Sequence, residues 1–169
     1  MDLDPLQRLL AERACERVVL DFVRRFDLGE PSSVAELFTE DGSWEWPDGD
    51  RLVAGREALR KYFGSRPAGR LSRRLMSNVL VTLTSPDTAI STAYFTTYRV
   101  DGHHGGGMVS AGPPVQVGLP HSRLRSSGGT PIEDNFRQVD GSWLIGTRTL
   151  FLPFGGPTPR HRPPGRLVA

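Results

Sequence analysis

The apolar residues of this chain change their spacing once, and that change does most to limit what it can fold into. Leu6, Leu9, Leu10, Ala14, Val18, Phe22, Val23 and Phe26 recur at helical intervals, which predicts one long helix over 5–28. Pro5 suits its first turn, where a missing N–H costs nothing, and Gly29 fits the position just past its end. A short second helix is expected at 32–38, capped by Ser32 or Ser33 with Glu36 reaching back. Residues 39–42 then turn the chain into a strand at 43–46, and 47–50 form another turn. Gly55 opens a third helix at 56–63. Beyond it the spacing drops to two. Strands are predicted at 73–84 and 88–100, and a hairpin at 132–139 and 142–152 around Asp140-Gly141. Helices grouped ahead of strands predict an α+β fold, not a doubly wound parallel sheet.

The chain has 169 residues, enough for one domain with a core that needs neither metal nor disulfide. That domain is expected over 1–152. A Gly-rich insertion at 102–130 is long enough to suggest a functional loop such as a lid. A Pro/Arg-rich tail at 153–169 is expected to be flexible. Cys15 is the sole cysteine and in a helical pattern reads as a small hydrophobe. A lone cysteine and the lack of a signal-peptide pattern point to the cytoplasm. The net charge is only +2, with Lys61 the one lysine against twenty arginines. No nucleic-acid motif and no membrane-length apolar run is present, so neither partner is expected.

Four stretches in order carry a family resemblance: VLDFVRRFDLGEPSSVAELFTEDGSWEW, GREALRKYF, SRRLMSNVLVTL and EDNFRQVDGSWLIGTRTL. Together they resemble the SnoaL-like, scytalone dehydratase-like members of the nuclear transport factor 2 superfamily. The resemblance implies a cone in which a curved sheet wraps the long helix around a pocket for a small, largely apolar molecule. It also implies a homodimer. Family enzymes include dehydratases, isomerases, epoxide hydrolases and polyketide cyclases. Most work without a cofactor, and many use one buried carboxylate as general base.

On that resemblance Asp27 matches the family's base. It follows Phe26 at the end of the apolar stripe, where burial and the helix C-terminus both oppose its charge. Such a carboxylate is suited to take a proton near neutral pH. A surface Asp27 paired with Arg24 is the plainer alternative. Arg74 stands where the dehydratases have histidine. It cannot shuttle protons, but it can hold Asp27 ionised or bind an oxyanion as a fixed donor fork; a surface arginine ahead of the strand is its alternative. Strict alternation puts Arg74, Met76, Asn78 and Leu80 on one face, which makes Asn78 a third catalytic candidate. Phe26, Trp44, Trp46, Tyr62, Met76, Tyr94 and Phe95 are candidate substrate contacts. Phe95 and Phe26 replace a family histidine and tyrosine, which speaks against straightforward scytalone-type dehydration.

Other constellations are weaker. Arg99-Val100-Asp101 resembles part of the epoxide hydrolase set, but Thr149 after Arg148 leaves it incomplete. Glu133 and Asp134 alternate across a strand, and solvation at the ladder edge is the expected role. His103, His104, His121 and His161 form no evident metal set. Three functions remain: a cofactor-free enzyme acting on a hydrophobic polycyclic substrate, a ligand-binding module that lost its chemistry, and a structural subunit with the same cone.

Overall fold

The computed structural model describes residues 3–101 and 132–151. Helix α1 (Pro5–Leu28) begins with a capping box. Asp4 Oδ1 accepts from the N–H groups of Leu6 (2.8 Å) and Gln7 (2.9 Å), and Gln7 Oε1 accepts from the Asp4 N–H. Three of the orphan donors at the helix start are thus matched. At the other end the Gly29 N–H bonds the Arg25 carbonyl. Gly29 is not left-handed; a Cβ there would sit 3.2 Å from the Arg25 backbone, so close approach explains the glycine.

The expected second helix is a 3-10 segment, Pro31–Leu37, capped by Glu30 and not by Ser32 or Ser33. Strand β1 (Phe38–Trp46) starts five residues earlier than predicted and absorbs 39–42 in an irregular stretch. A short strand β2 (Arg51–Ala54) precedes helix α2 (Arg56–Gly64). Strands β3 (Leu71–Leu83), β4 (Thr88–Val100), β5 (Ile132–Val139) and β6 (Ser142–Leu150) follow. They build one curved six-stranded sheet in the order β2-β1-β6-β5-β4-β3. All neighbours are antiparallel except β1 and β6, which run parallel.

Helix α1 lies across the inner face of this sheet, against β3, β4 and β6. Cys15, Val19 and Phe22 from α1 meet Phe38, Trp44, Phe63, Phe136, Trp143 and Ile145 in the core. Each fully buried Val, Ile or Phe contributes about 1.5–3 kcal/mol. The outer face of β3 and β4 leaves Leu75, Leu80, Ile90 and Tyr98 exposed. The expected insertion at 102–130 and the tail at 153–169 lie outside the described residues.

Two bulges decide which side chains face α1. In β3 the pairing slips between Ser77 and Leu80, and Asn78 takes a left-handed φ of 52°. Ser72, Arg74 and Met76 face inward before the slip, and Val79 and Val81 after it. Asn78 and Leu80 are exposed, which corrects the strict alternation. In the β5–β6 hairpin the register slips at Gly146, so Phe136 faces Ile145 while Asp134 faces Arg148.

Candidate functional site

The last turn of α1 carries Phe26 and Asp27 to the end of the sheet where β3 begins. A helix C-terminus repels a carboxylate, yet the Asp27 side chain is only 3% exposed. Its neighbours explain this. Ser72 Oγ donates to Oδ1 at 2.7 Å, the Arg74 backbone N–H donates to Oδ2 at 2.6 Å, and Arg74 Nη1 donates to Oδ1. Arg66 Nη1 stands 3.6 Å from the same Oδ1. Three of the roughly four acceptor positions of the carboxylate are therefore taken by described donors. Arg24 plays no part; it pairs with Asp21 at 2.7 Å.

The two guanidinium groups are built in with equal care. Arg66 donates to the Phe26 carbonyl, to the Arg70 carbonyl and to Ser72 Oγ. Arg73 donates to the Asp27 carbonyl at 3.0 Å, so two arginines neutralise the end of α1. Both Arg74 and Arg66 lie over the Phe26 ring, at 4.4 and 5.0 Å from its centre. Burial pulls the Arg74 guanidinium down to about 10, with Asp27 pushing the other way. Arg74 therefore stays cationic at neutral pH. Burial also draws Arg66 below the usual arginine range. The arrangement fixes a buried carboxylate with three donors and can present a guanidinium to an oxygen.

A second ion pair lies deeper. Arg148 Nε and Nη2 donate to Asp134 Oδ1 (2.6 Å) and Oδ2 (2.7 Å), with Ser91 Oγ at 3.3 Å. Both residues are 1% exposed, and the guanidinium lies 4.0 Å from the centre of the Phe22 ring. Solvation at the ladder edge is thus overturned for Asp134, which faces the core. Cys15 is fully buried; its burial and the nearby Asp134 charge push the thiol up to about 12. It has no thiolate to offer near neutral pH.

The structure brings some predicted contacts together and separates others. Trp44 lies tilted against Tyr62, 5.1 Å between ring centres, and, with Phe63, joins the aromatic cluster that reaches Phe26. Met76 packs against the same core. Phe95 is buried, opposite Met76 in the neighbouring strand. Trp46 is half-buried, and its indole N–H has no acceptor among the described residues. Tyr94 is not on this face: it alternates outward and lines an outer cleft of about 340 Å³ with Asn78, Leu80 and Thr92. A second cleft of similar size involves Asp41, Asn135, Arg137 and Thr147. Neither cleft touches Asp27, Arg74 or Arg148. Asp101 sits at the end of β4, 57% exposed, between Arg99 and Arg70. Among the described residues no three His, Cys, Asp or Glu side chains converge on a metal position, and no helix is long and apolar enough to cross a membrane. His103, His104, His121 and His161 lie outside the described residues.

A SnoaL-like domain model matches residues 7–149. The chain belongs to the SnoaL-like family. Its SnoaL-like cone is similar to a candidate scytalone dehydratase of Novosphingobium aromaticivorans, with 20% identity, 96% of this chain and 98% of the other covered, and a TM-score of 0.66. It is also similar to a hexachlorocyclohexane dehydrochlorinase of Novosphingobium barchaimii (15% identity, 96% and 100% covered, TM-score 0.63). ActVI-ORFA of Streptomyces coelicolor is a further neighbour (16% identity, 81% and 96% covered, TM-score 0.55). At such identities the likeness concerns the fold alone. No curated protein matches the SnoaL-like chain in sequence.

Sequence reasoning missed Ser72, Arg66 and the Asp134–Arg148 pair. Ser72 and Arg74 lie two apart on one strand, so alternation could have found Ser72. Arg66 comes from the loop after α2, and nothing in its local pattern marks it.

Proposed function

We propose that this SnoaL-like protein takes a small, largely apolar molecule into its cone and acts on it by proton abstraction, without a cofactor. The observation that carries this reading is the Asp27 carboxylate, 3% exposed and fixed against a guanidinium that keeps 20% exposure. Asp27 Oδ2, which accepts one described hydrogen bond, serves as the base. Arg74 donates to the oxygen on which charge develops, a role that needs no proton transfer from it. Phe26, Tyr62, Met76 and Phe95 supply apolar contact, with Trp44 and Trp46 behind them. Asn78 and Tyr94 have no part, because both face outward. Cyclisation, isomerisation and dehydration all begin with such a step. Two similar structures carry names of eliminations, a dehydratase and a dehydrochlorinase. The homodimer belongs to the same reading, with a second copy against Leu75, Leu80 and Ile90.

A specific observation favours a second reading, a binding module without turnover. Three donors already occupy Asp27, and the Asp134–Arg148 pair fills part of the inner face. Proton abstraction can be read without knowing the product. Apolar ketones and β-hydroxy carbonyl compounds are incubated with the protein in deuterium oxide and weighed by mass spectrometry. On the first reading deuterium enters next to the carbonyl, and Asp27→Asn slows this by about 10²–10⁴-fold. Binding without deuterium uptake favours the module instead.

A further inference from the structure

The charges around Asp27 do not balance. Arg66 and Arg74 keep only 10% and 20% of their side chains exposed, and they share one carboxylate. Arg70 and Arg73 stand close enough to act electrostatically on Arg66, and Arg70 on Arg74. Arg70 and Arg99 in turn share Asp101. Among the described residues five guanidinium groups thus face two carboxylates; Arg73 and Arg99 are exposed to solvent, so the buried excess is that of Arg66 and Arg74 over Asp27. The last carbonyls of α1 take up some of this through Arg66 and Arg73, but a helix end supplies only about half a charge. Burying an unmatched cation is costly.

The unmatched charge also has a direction. Arg74 spends Nη1 on Asp27 and Ser72. No described acceptor takes its Nε or Nη2, and the side chain keeps 20% of its surface exposed. Those two N–H groups form the edge of a guanidinium that grips a carboxylate or phosphate with two parallel hydrogen bonds. The guanidinium carbon stands 4.4 Å from the centre of the Phe26 ring.

We propose that Arg74, supported by Arg66, is an anion subsite, so that the molecule entering the cone carries a carboxylate or phosphate group on an apolar body. The anion docks on the free edge of Arg74, and the apolar body lies along Phe26 and Met76. This rests on the cone taking a small molecule but not on turnover.

Calorimetry with the full chain tests it using three naphthalene probes of one shape: 2-naphthoate, 2-naphthyl phosphate and the neutral 2-acetylnaphthalene. At least one anion is expected to bind about 10–100-fold tighter than the ketone; which one does so tells carboxylate from phosphate. Arg74→Met abolishes that preference, and Asp27→Asn, which unmatches a further charge, increases it. Should Arg74→Met fail to fold, NMR of the arginine Nε–H groups in the parent protein replaces it, with the Arg74 signal moving on addition of the preferred anion. Equal affinity for all three, no binding by any, or a preference that survives Arg74→Met overturns the subsite. Anion preference without deuterium uptake on any ketone overturns only the proton-abstraction reading.

Discussion

Asp134 and Asp27 are both aspartates held by an arginine on an inner strand face, yet they do different work. Around Asp134 the match is one to one: two parallel hydrogen bonds join it to Arg148, Phe22 covers the guanidinium, and both residues are 1% exposed. Such a pair costs desolvation to bury, and it is worth most when intact. Removing one member leaves a naked charge. Arg148→Met is therefore expected to destabilise the fold by about 3–5 kcal/mol, while the paired change Asp134→Leu with Arg148→Met recovers most of that loss. Urea denaturation of the parent, single and double variants checks this. A single-variant loss below about 1 kcal/mol would mean that water reaches the pair. Around Asp27, in contrast, two nitrogens of Arg74 take no described acceptor, and the proposed anion site rests on that difference.

At the scale of elements, the hairpin that positions Asp134 depends on its turn. Asp140 and Gly141 have φ of 49° and 78°, the left-handed pair that a two-residue hairpin needs. A Cβ on Gly141 would meet nothing within 4 Å, so any penalty there is backbone strain. Gly141→Ala is expected to cost about 1–2 kcal/mol, seen as a lower urea midpoint with an unchanged circular dichroism spectrum; an unchanged midpoint would sink the argument. This turn was legible in the sequence, as were both ends of α1, because caps and turn residues announce themselves locally. Asn78 was not, because one left-handed residue in β3 reverses the parity of everything after it. Arg148 was hidden in the same way. Simple pairing from the turn puts Asp134 opposite Thr147, and only the slip at Gly146 brings Arg148 across. Strand β2 has four residues, none of them buried, and so offered no alternation to read. Asp27 with Arg74 was readable because each lies before any slip in its own element.

At the scale of the molecule, ion pairs add links between elements to those that the sheet supplies. Asp101 links the end of β4 to Arg70, just ahead of β3. Asp41 of β1 meets Arg137 of β5, and Asp21 braces Arg25, which in turn reaches the Ser33 carbonyl. The Arg99 hydrogen bond, against some burial, holds the Asp101 carboxyl below its ordinary value of 3.8. Asp21 is raised by burial but lowered further by Arg25 and Arg24, and Arg137 draws Asp41 down in the same direction. A carboxylate depressed in the folded state binds fewer protons there than in the unfolded chain, so its stabilising effect is full above the unfolded value and fades as pH falls through the folded one. Asp101→Asn should therefore lower the urea midpoint at about pH 7, with the gap from the parent closing as pH drops well below about 4. A gap that stays constant down to about pH 2 would show that the side chain acts through shape or hydrogen bonding and not through its charge. The same variant removes one of the two anions facing five arginines, so at neutral pH it should weaken the fold while drawing an added anion more strongly to Arg74. If Arg74 is the proposed anion subsite, this one substitution changes stability and anion affinity in opposite directions, because both draw on the same excess of positive charge.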